Sequence, residues 1–579
     1  MKWSSQGLTS AIIVLATIAV ATSKAQEPDA FAALASRLVA EDTATAGRAS
    51  RTPERIALTR LYPPGVRPLW SAAGLPTRQA LESIGILATA DTRGLVPADY
   101  GADVLAALAD SLSARSGPVA EVARFDVALS RAVVRLLADL HMGRVDPRAL
   151  RFELPETHDQ LDLAELTSAV ARADDNIAAI DATEPPYGGY IALKRELARY
   201  RRLAEDTTLR PLPRAGATIR PGDPYRDAPT LRRLLVALGD LDRAAAGNSA
   251  GTPNDESAAA LDDSVWTAYD GELAAAVVRF QGRHGLEPDG VIGPGTMAQL
   301  RTPLPRRVRQ IELALERWRW LPDKAAARYL VVNIPAFRLE AFESDATAQR
   351  PALAMNVIVG QAEGRHHTPV FVGTMREVVF RPYWDVPPRI ARNELVPLIR
   401  RRPAYFTTEG FEIVRVGESG DDAMTYPPTA ANLSHVAAGK LRLRQRPGPT
   451  NALGAVKFVF PNPYNVFLHG TPLQALFAYN RRDFSHGCIR IEQPAALAEL
   501  VLRGQETWDA AAVDAAMHGP NTMRVAIARP LVVYVLYATT RVDEAGAVRF
   551  SPDIYGHDAT LERVLGLPPV DVARVGPDK

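Results

Sequence analysis

Phe467-Leu-His-Gly-Thr471 and Phe484-Ser-His-Gly-Cys-Ile-Arg490 are the stretches on which the reading of this chain turns. They contain Cys488, the only cysteine in 579 residues. His486 stands two positions before it, and His469 closes the apolar run Val466-Phe-Leu468. A thiolate is the reactive form of cysteine, and a nearby imidazole can take the thiol proton. His469 follows a strand-like run, so its ring can project from a strand end. Asn480-Arg-Arg-Asp-Phe484 reads as the loop that carries Cys488 back toward it. Gly487, beside the cysteine, lets backbone amides approach a substrate carbonyl. One thiolate, one imidazole base and an amide pocket perform acyl transfer through a thioester.

The remainder of the chain supports an exported, multidomain protein. Its length fits roughly three or four domains. Lys and Arg number 67 against 66 Asp and Glu, so net charge argues for neither nucleic acid nor an acidic partner. Lys2, the run Ala11-Ile-Ile-Val-Leu-Ala-Thr-Ile-Ala-Val20 and the small residues of Ser23-Lys-Ala25 read as a signal peptide over 1–25. An uncleaved anchor is the alternative, and no later stretch reads as a membrane span. A single cysteine cannot form an internal disulfide, and a free thiol is a liability in an oxidising compartment. Its place in a histidine-rich motif therefore favours chemical use.

In chain order, 27–243 reads as a helical domain. Val122, Phe125, Leu129, Val133 and Leu136 recur at helical spacing, as do Leu231, Leu234, Leu235 and Leu238. Tyr62, Trp70 and Tyr100 read as core aromatics, and His141 as structural. Small and turn-forming residues make 244–262 a linker. A compact helical module over 263–303 contains Val277-Val-Arg-Phe-Gln-Gly-Arg-His-Gly-Leu-Glu-Pro-Asp-Gly-Val-Ile-Gly-Pro-Gly-Thr296, in which His284 fits a turn or a groove. After a helix over 306–323, strand-like runs begin at Tyr329-Leu-Val-Val-Asn-Ile334 and continue to Val466. This β-rich span, 327–507, is interrupted at about 389–443 by an arginine-rich insertion with Gly/Asp loops and a helix-like tail, read as a lid. A C-terminal extension, 508–579, returns to strands at Leu531-Val-Val-Tyr-Val-Leu-Tyr537. The expected fold is thus multidomain α+β.

The histidine and cysteine motifs together resemble the signature of the L,D-transpeptidases, with their YkuD-type catalytic domain. The 277–296 stretch is similar to small peptidoglycan-binding domains. Glu316-Arg-Trp-Arg-Trp-Leu321, Pro382-Tyr-Trp-Asp-Val-Pro-Pro388, Pro447-Gly-Pro-Thr-Asn-Ala-Leu-Gly454 and Phe460-Pro-Asn-Pro-Tyr464 resemble the large periplasmic branch. That branch joins a helical scaffold, a peptidoglycan-binding module and a catalytic domain with a capping insertion. The resemblance implies a periplasmic enzyme of cell-wall biogenesis and cell shape acting on peptidoglycan tetrapeptide stems. Cys488 would attack the bond after the L-centre of diaminopimelate, D-alanine would leave, and a second stem's side-chain amine would form a 3→3 cross-link. It assigns Cys488 as nucleophile and His469 as general base and acid. The Gly470 carbonyl would orient His469, and His486 and Gly487 would shape the oxyanion pocket. Arg490, Ser485, Tyr464 and Trp384 would bind substrate. Carbapenems would acylate the same thiol. The resemblance calls for no cofactor.

Three alternatives compete. Water as acceptor makes an L,D-carboxypeptidase of the same site, and a protein acceptor makes it a wall-attachment or detachment enzyme. An inert motif would leave a wall-binding scaffold, but intact Cys488 and His469 argue against that. A zinc site built from His469, His486 and Cys488 lacks a fourth ligand, and the adjacent His366 and His367 are assigned no metal. Oligomeric state is not legible.

Overall fold

The computed structural model describes residues 29–41, 52–155, 161–213, 217–242, 269–323, 326–343, 350–364, 366–418, 420, 422–505 and 507–570. The signal-peptide reading and the 244–262 linker lie outside these residues. Among the described residues no helix is long and apolar enough to cross a membrane. The chain forms two compact units.

The first unit is helical and takes in the described parts of 1–146, 156–199 and 311–323. Its centre is the helix Val119–Met142. Val122, Phe125, Leu129, Val133, Leu136, Leu137 and Leu140 are buried on it, as the helical spacing requires. A hairpin of β1 (Ser71–Ala72) and β2 (Leu75–Pro76) is the unit's small sheet. Tyr62, Trp70 and Tyr100 are core residues, as read. Asp126 lies among them with no solvent exposure. Its carboxylate accepts the Leu69 N–H (3.0 Å), the Trp70 N–H (2.8 Å) and the Tyr62 hydroxyl (2.9 Å). The Trp70 indole N–H donates to Ser130 Oγ at 2.8 Å. One buried carboxylate therefore holds the segment before β1 against the central helix. Trp318 packs on Tyr187, with ring centroids 5.3 Å apart, which gives it a packing role. His141 is structural as well, with Nδ1 at 3.2 Å from the Thr183 carbonyl and Nε2 at 3.1 Å from Asp323.

The second unit takes in 147–155, 200–310 and 324–579. Its sheet runs through β3 (Arg328–Asn333), β4 (Arg338–Glu343), β5 (Leu353–Gly360), β6 (Phe371–Phe380), β11 (Val456–Val459), β12 (Leu468–His469), β13 (Asp483–Ser485), β14 (Ile489–Ile491) and β15 (Met523–Leu536). The order is β13-β5-β14-β12-β11-β6-β15-β3-β4, and a further pairing of β4 with β5 closes the sheet on itself. Closure removes the free edges between these strands. β15 lies between β6 and β3, antiparallel to one and parallel to the other. The span assigned to a C-terminal extension is therefore part of this main sheet, which is incomplete at residue 507. Contiguity in sequence hid this, because β15 finds its parallel partner just over two hundred residues upstream.

The insertion also differs from its sequence reading. β7 (Trp384–Asp385), β8 (Phe411–Arg415), β9 (Thr425–Tyr426) and β10 (Leu441–Gln445) form a second sheet in the order β7-β10-β8-β9. The stretch read as a helix-like tail ends in the strand β10. Alternation of Leu441 and Leu443 with arginines is the strand period, outweighed in the reading by the helix Ala430–Ala437 before it. Val386, Leu395, Ile399, Phe406, Ile413, Leu433 and Leu443 give the insertion its own core.

In the same unit, the helix Ala228–Leu238 packs with the helix Gly271–Arg283. Asp240, just after the first helix, accepts the Arg283 guanidinium, with Nε at 2.6 Å. The small module thus begins upstream of 263, where the sequence reading placed its start. His284 is buried, stacked on Phe280 at 3.8 Å and on Phe550 at 5.4 Å, and so is a core residue that lines no groove.

Burial pushes the Asp126 carboxyl up to about 6 from 3.8, and its three hydrogen bonds only partly offset this. A carboxyl that binds its proton more tightly when folded contributes stability that is full below pH 3.8 and lost as pH rises through about 6. Asp126→Ala orphans three donors and should destabilise the helical unit by roughly 3 kcal/mol. Asp126→Asn should remove the pH dependence. Denaturant titration followed by far-UV circular dichroism at pH 4, 5, 6 and 7 measures both.

Candidate active site

Strand pairing assembles the two motifs. β12 pairs in parallel with β14, with Leu468 opposite Ile489 and His469 opposite Arg490. Leu468 and Ile489 point into the core and are fully buried. Residues one step away point to the opposite face. That face carries His469, Arg490 and, one residue before Ile489, Cys488. On the other side of β12, antiparallel β11 places Lys457 opposite His469. The Ile489 N–H donates to the Phe467 carbonyl at 3.0 Å, which fixes Cys488 level with the start of β12.

His469 is buried. Its Nδ1 lies 2.6 Å from the Gly470 carbonyl oxygen. A carbonyl only accepts, so Nδ1 carries the proton and Nε2 keeps its lone pair. Burial pushes the imidazole down to about 3; the Arg490 charge adds to this, and the Gly470 and Leu453 carbonyls oppose it. The ring is therefore a neutral base across the neutral pH range, in one tautomer.

Cys488 is half-buried and reduced. Its Sγ donates to the Asn465 carbonyl at 3.8 Å. Asn465 has φ +55°, a left-handed conformation that asparagine tolerates. The Asn462 side chain pins this loop, accepting the Tyr464 and Val466 N–H groups at 3.1 Å each. Burial pushes the thiol above its ordinary value, while the Phe467 amide, Lys457 and Arg490 pull it back by favouring the thiolate. The resting pair is a thiol beside a neutral imidazole. Proton transfer to His469 then accompanies attack, as general-base chemistry requires.

The loop between the motifs is locked from within. Ser485 is buried, its hydroxyl donating to the Cys488 carbonyl at 2.5 Å and accepting the Gly487 N–H at 3.1 Å. Ser485 thus shapes the turn from inside, a contact the resemblance did not specify. The Gly487 amide is engaged by that bond, which leaves the Cys488 and His486 amides as the candidates for an oxyanion pocket. Gly487 has φ +117°, a region that L side chains rarely adopt. Its carbonyl accepts the Thr368 hydroxyl at 2.9 Å, and the Thr368 Oγ1 accepts the Gly360 N–H at 2.9 Å.

Sequence reasoning missed this buttress. His366-His367-Thr368 forms a wall against the cysteine loop. The His366 ring meets His486 edge-on at 4.7 Å, and His367 stacks on Tyr555 at 4.0 Å. His486 Nε2 also lies 3.1 Å from Glu394 of the insertion. A histidine pair with no polar period gave no signal of such a role. Lys457 was missed too, because one lysine in a strand reads as a solvated residue.

The other expected residues divide. Arg490 stands beside His469 and Cys488. Tyr464 adjoins the Asn465 loop, its ring 5.5 Å from Phe371 and its hydroxyl bonded to Glu153. Burial and that bond push its hydroxyl up to about 12. Trp384 packs on Phe411 at 6.3 Å against the insertion's core, and its described contacts do not reach Cys488.

Comparison with known proteins finds matches along much of the chain. Residues 327–513 match the L,D-transpeptidase catalytic domain. Residues 57–197 match a scaffold domain, and residues 230–300 match a family described as "Putative peptidoglycan binding domain". The last match takes in most of the helix Ala228–Leu238, in keeping with its packing. A Haemophilus influenzae protein named "Putative L,D-transpeptidase" is 29% identical over 253 residues, covering 44% of this chain. The match spans about half of that curated relative, 48% of its length.

The unfolded imidazole takes a proton near pH 6.5 and the folded one only near 3, so His469 costs stability as pH falls between those values. The same shift predicts the reactivity profile. Alkylation of Cys488 by iodoacetamide should slow steadily as pH falls from 8 to 4.5, with no inflection near 6.5. An inflection there, abolished in His469→Ala, contradicts a neutral resting imidazole.

Proposed function

We propose that this chain, whose residues 327–513 match the L,D-transpeptidase catalytic domain, is a peptidoglycan L,D-transpeptidase that works through a Cys488 thioester. The observation that carries the reading is His469, held neutral by burial with Nδ1–H committed to Gly470 O and its other nitrogen keeping a lone pair, on the same face of the sheet as Cys488.

In the first half-reaction the Cys488 sulfur attacks the carbonyl after the L-centre of diaminopimelate in a tetrapeptide stem. Nε2 of His469 takes the thiol proton. The developing oxyanion is met by the Cys488 and His486 amides, which need no reorganisation at that moment. Collapse breaks the C–N bond, and His469 returns the proton to the departing D-alanine nitrogen. In the second half-reaction the side-chain amine of another stem attacks the thioester, and His469 accepts its proton. The product is a 3→3 cross-link, and the thiol is restored. No cofactor enters either step.

The setting follows the accompanying domains. A module matching peptidoglycan-binding domains supports a substrate in the wall, and the reading puts the protein in the periplasm. The insertion contacts the cysteine loop through Glu394 and His486, which supports reading it as a cap over the bound stem. Carbapenems are expected to acylate the same thiol.

Incubation with diaminopimelate tetrapeptide muropeptides, followed by chromatography and tandem mass spectrometry, tests the reading. Release of D-alanine together with 3→3 dimers is expected, and Cys488→Ala should lower both by at least about a thousandfold. Release of D-alanine with only tripeptide monomers assigns water as acceptor and an L,D-carboxypeptidase. Release of neither by the wild type overturns the proposal.

A further inference from the structure

The face of the sheet that carries Cys488 holds two cations without counter-ions. Lys457 stands opposite His469 on β11, and Arg490 stands opposite it on β14, so His469 is flanked in register from both sides. Among the described residues neither cation makes a hydrogen bond or an ion pair. The Lys457 Nζ lies 3.8 Å from the centre of the Phe467 ring, a contact that orients a cation without neutralising it. The acidic groups acting on Lys457 are already engaged. Glu377 takes the Arg524 fork at 2.9 and 2.6 Å, and Asp385 pairs with Arg442 at 3.0 Å. Burial lowers the proton affinity of Lys457 and of Arg490, and the thiolate form of Cys488 raises it for both. Unpaired charges in a partly dehydrated site are costly unless an anion completes them.

We propose that Lys457 and Arg490 form a carboxylate subsite that reads the terminal carboxylate of the amino acid leaving the donor stem. The assignment rests on the transpeptidase reading and deepens it. His469 hands its proton to the leaving nitrogen, so groups that flank His469 flank the leaving residue. When a single amino acid leaves, its carboxylate carbon is two bonds from that nitrogen. The guanidinium of Arg490 suits a carboxylate as a planar fork, and the Lys457 ammonium serves as a point charge beside it. A further residue on the donor moves the carboxylate away by roughly 3.5 Å. The subsite therefore selects donors with one residue beyond the scissile bond. The chemistry balances without it. The S–C bond forms, the C–N bond breaks, the electron pair stays on the departing nitrogen, and the proton from the thiol reaches that nitrogen through His469. The carboxylate is only held.

The experiment compares two donors, a diaminopimelate tetrapeptide ending in D-alanine and the same peptide ending in D-alaninamide. Release of the terminal residue is followed for wild type, Lys457→Met, Lys457→Arg and Arg490→Gln. Wild type should favour the free acid by roughly tenfold or more in kcat/KM. Lys457→Met should slow both donors through the lost support of the thiolate and should raise KM for the acid alone, so that the preference collapses. Lys457→Arg should restore most of it, and Arg490→Gln should reduce it in the same way. The ratio between donors is internal to each variant, so partial misfolding does not imitate the effect. Equal use of acid and amide by wild type, or an equal loss on both in Lys457→Met, overturns the subsite and leaves the transpeptidase reading standing. No release from either donor by wild type overturns that reading, and the subsite with it.

Discussion

The short hydrogen bond from His469 Nδ1–H to the Gly470 carbonyl, at 2.6 Å, sets the terms for the rest of the site. It gives a buried ring one tautomer and directs the basic nitrogen away from its own backbone. Burial keeps that nitrogen unprotonated, so the ring can receive a proton from a thiol that burial also holds protonated. Neither group is charged at rest. The charge separation that makes cysteine nucleophilic arises at the moment of attack, where the Phe467 amide and the cations Lys457 and Arg490 favour the thiolate. A low-dielectric site makes those contributions larger than they are in water.

This arrangement depends on a turn that few sequences can make. Gly487 adopts a backbone conformation hostile to side chains, and Ser485 and Thr368 clamp it from two directions. Thr368 belongs to β5's following loop and Ser485 to β13, which pairs with β5. The closed sheet therefore supplies the rigidity, and its strand register supplies the position of each reacting group. The long strand β15 is part of that closure, so the region after the cysteine motif supports the chemistry without touching it.

Much of the site was legible because its signals are local. A lone cysteine between a histidine and an arginine, and a second histidine at the end of an apolar strand followed by glycine, carry their chemistry in residue type and spacing. The helical unit was legible for a similar reason, since the apolar period of Val119–Met142 is strong. What escaped depends on contacts made across long separations. The Gly360–Thr368–Gly487 relay joins segments more than a hundred residues apart, and Lys457 has meaning only through its register with His469. The insertion's sheet was hidden because its strands are short and polar on one face. Trp384, placed with substrate by resemblance, packs partly buried against the insertion's small core, a contact the sequence did not signal.

The central claim is that Cys488 is an acylable nucleophile activated by a neutral His469. Intact-mass spectrometry after exposure to a carbapenem tests it without requiring the natural substrate. The account predicts one covalent equivalent on wild type, none on Cys488→Ala, and formation slowed by at least about a hundredfold in His469→Ala. A folded wild-type protein that gains no mass, or an adduct that persists in Cys488→Ala, would contradict it.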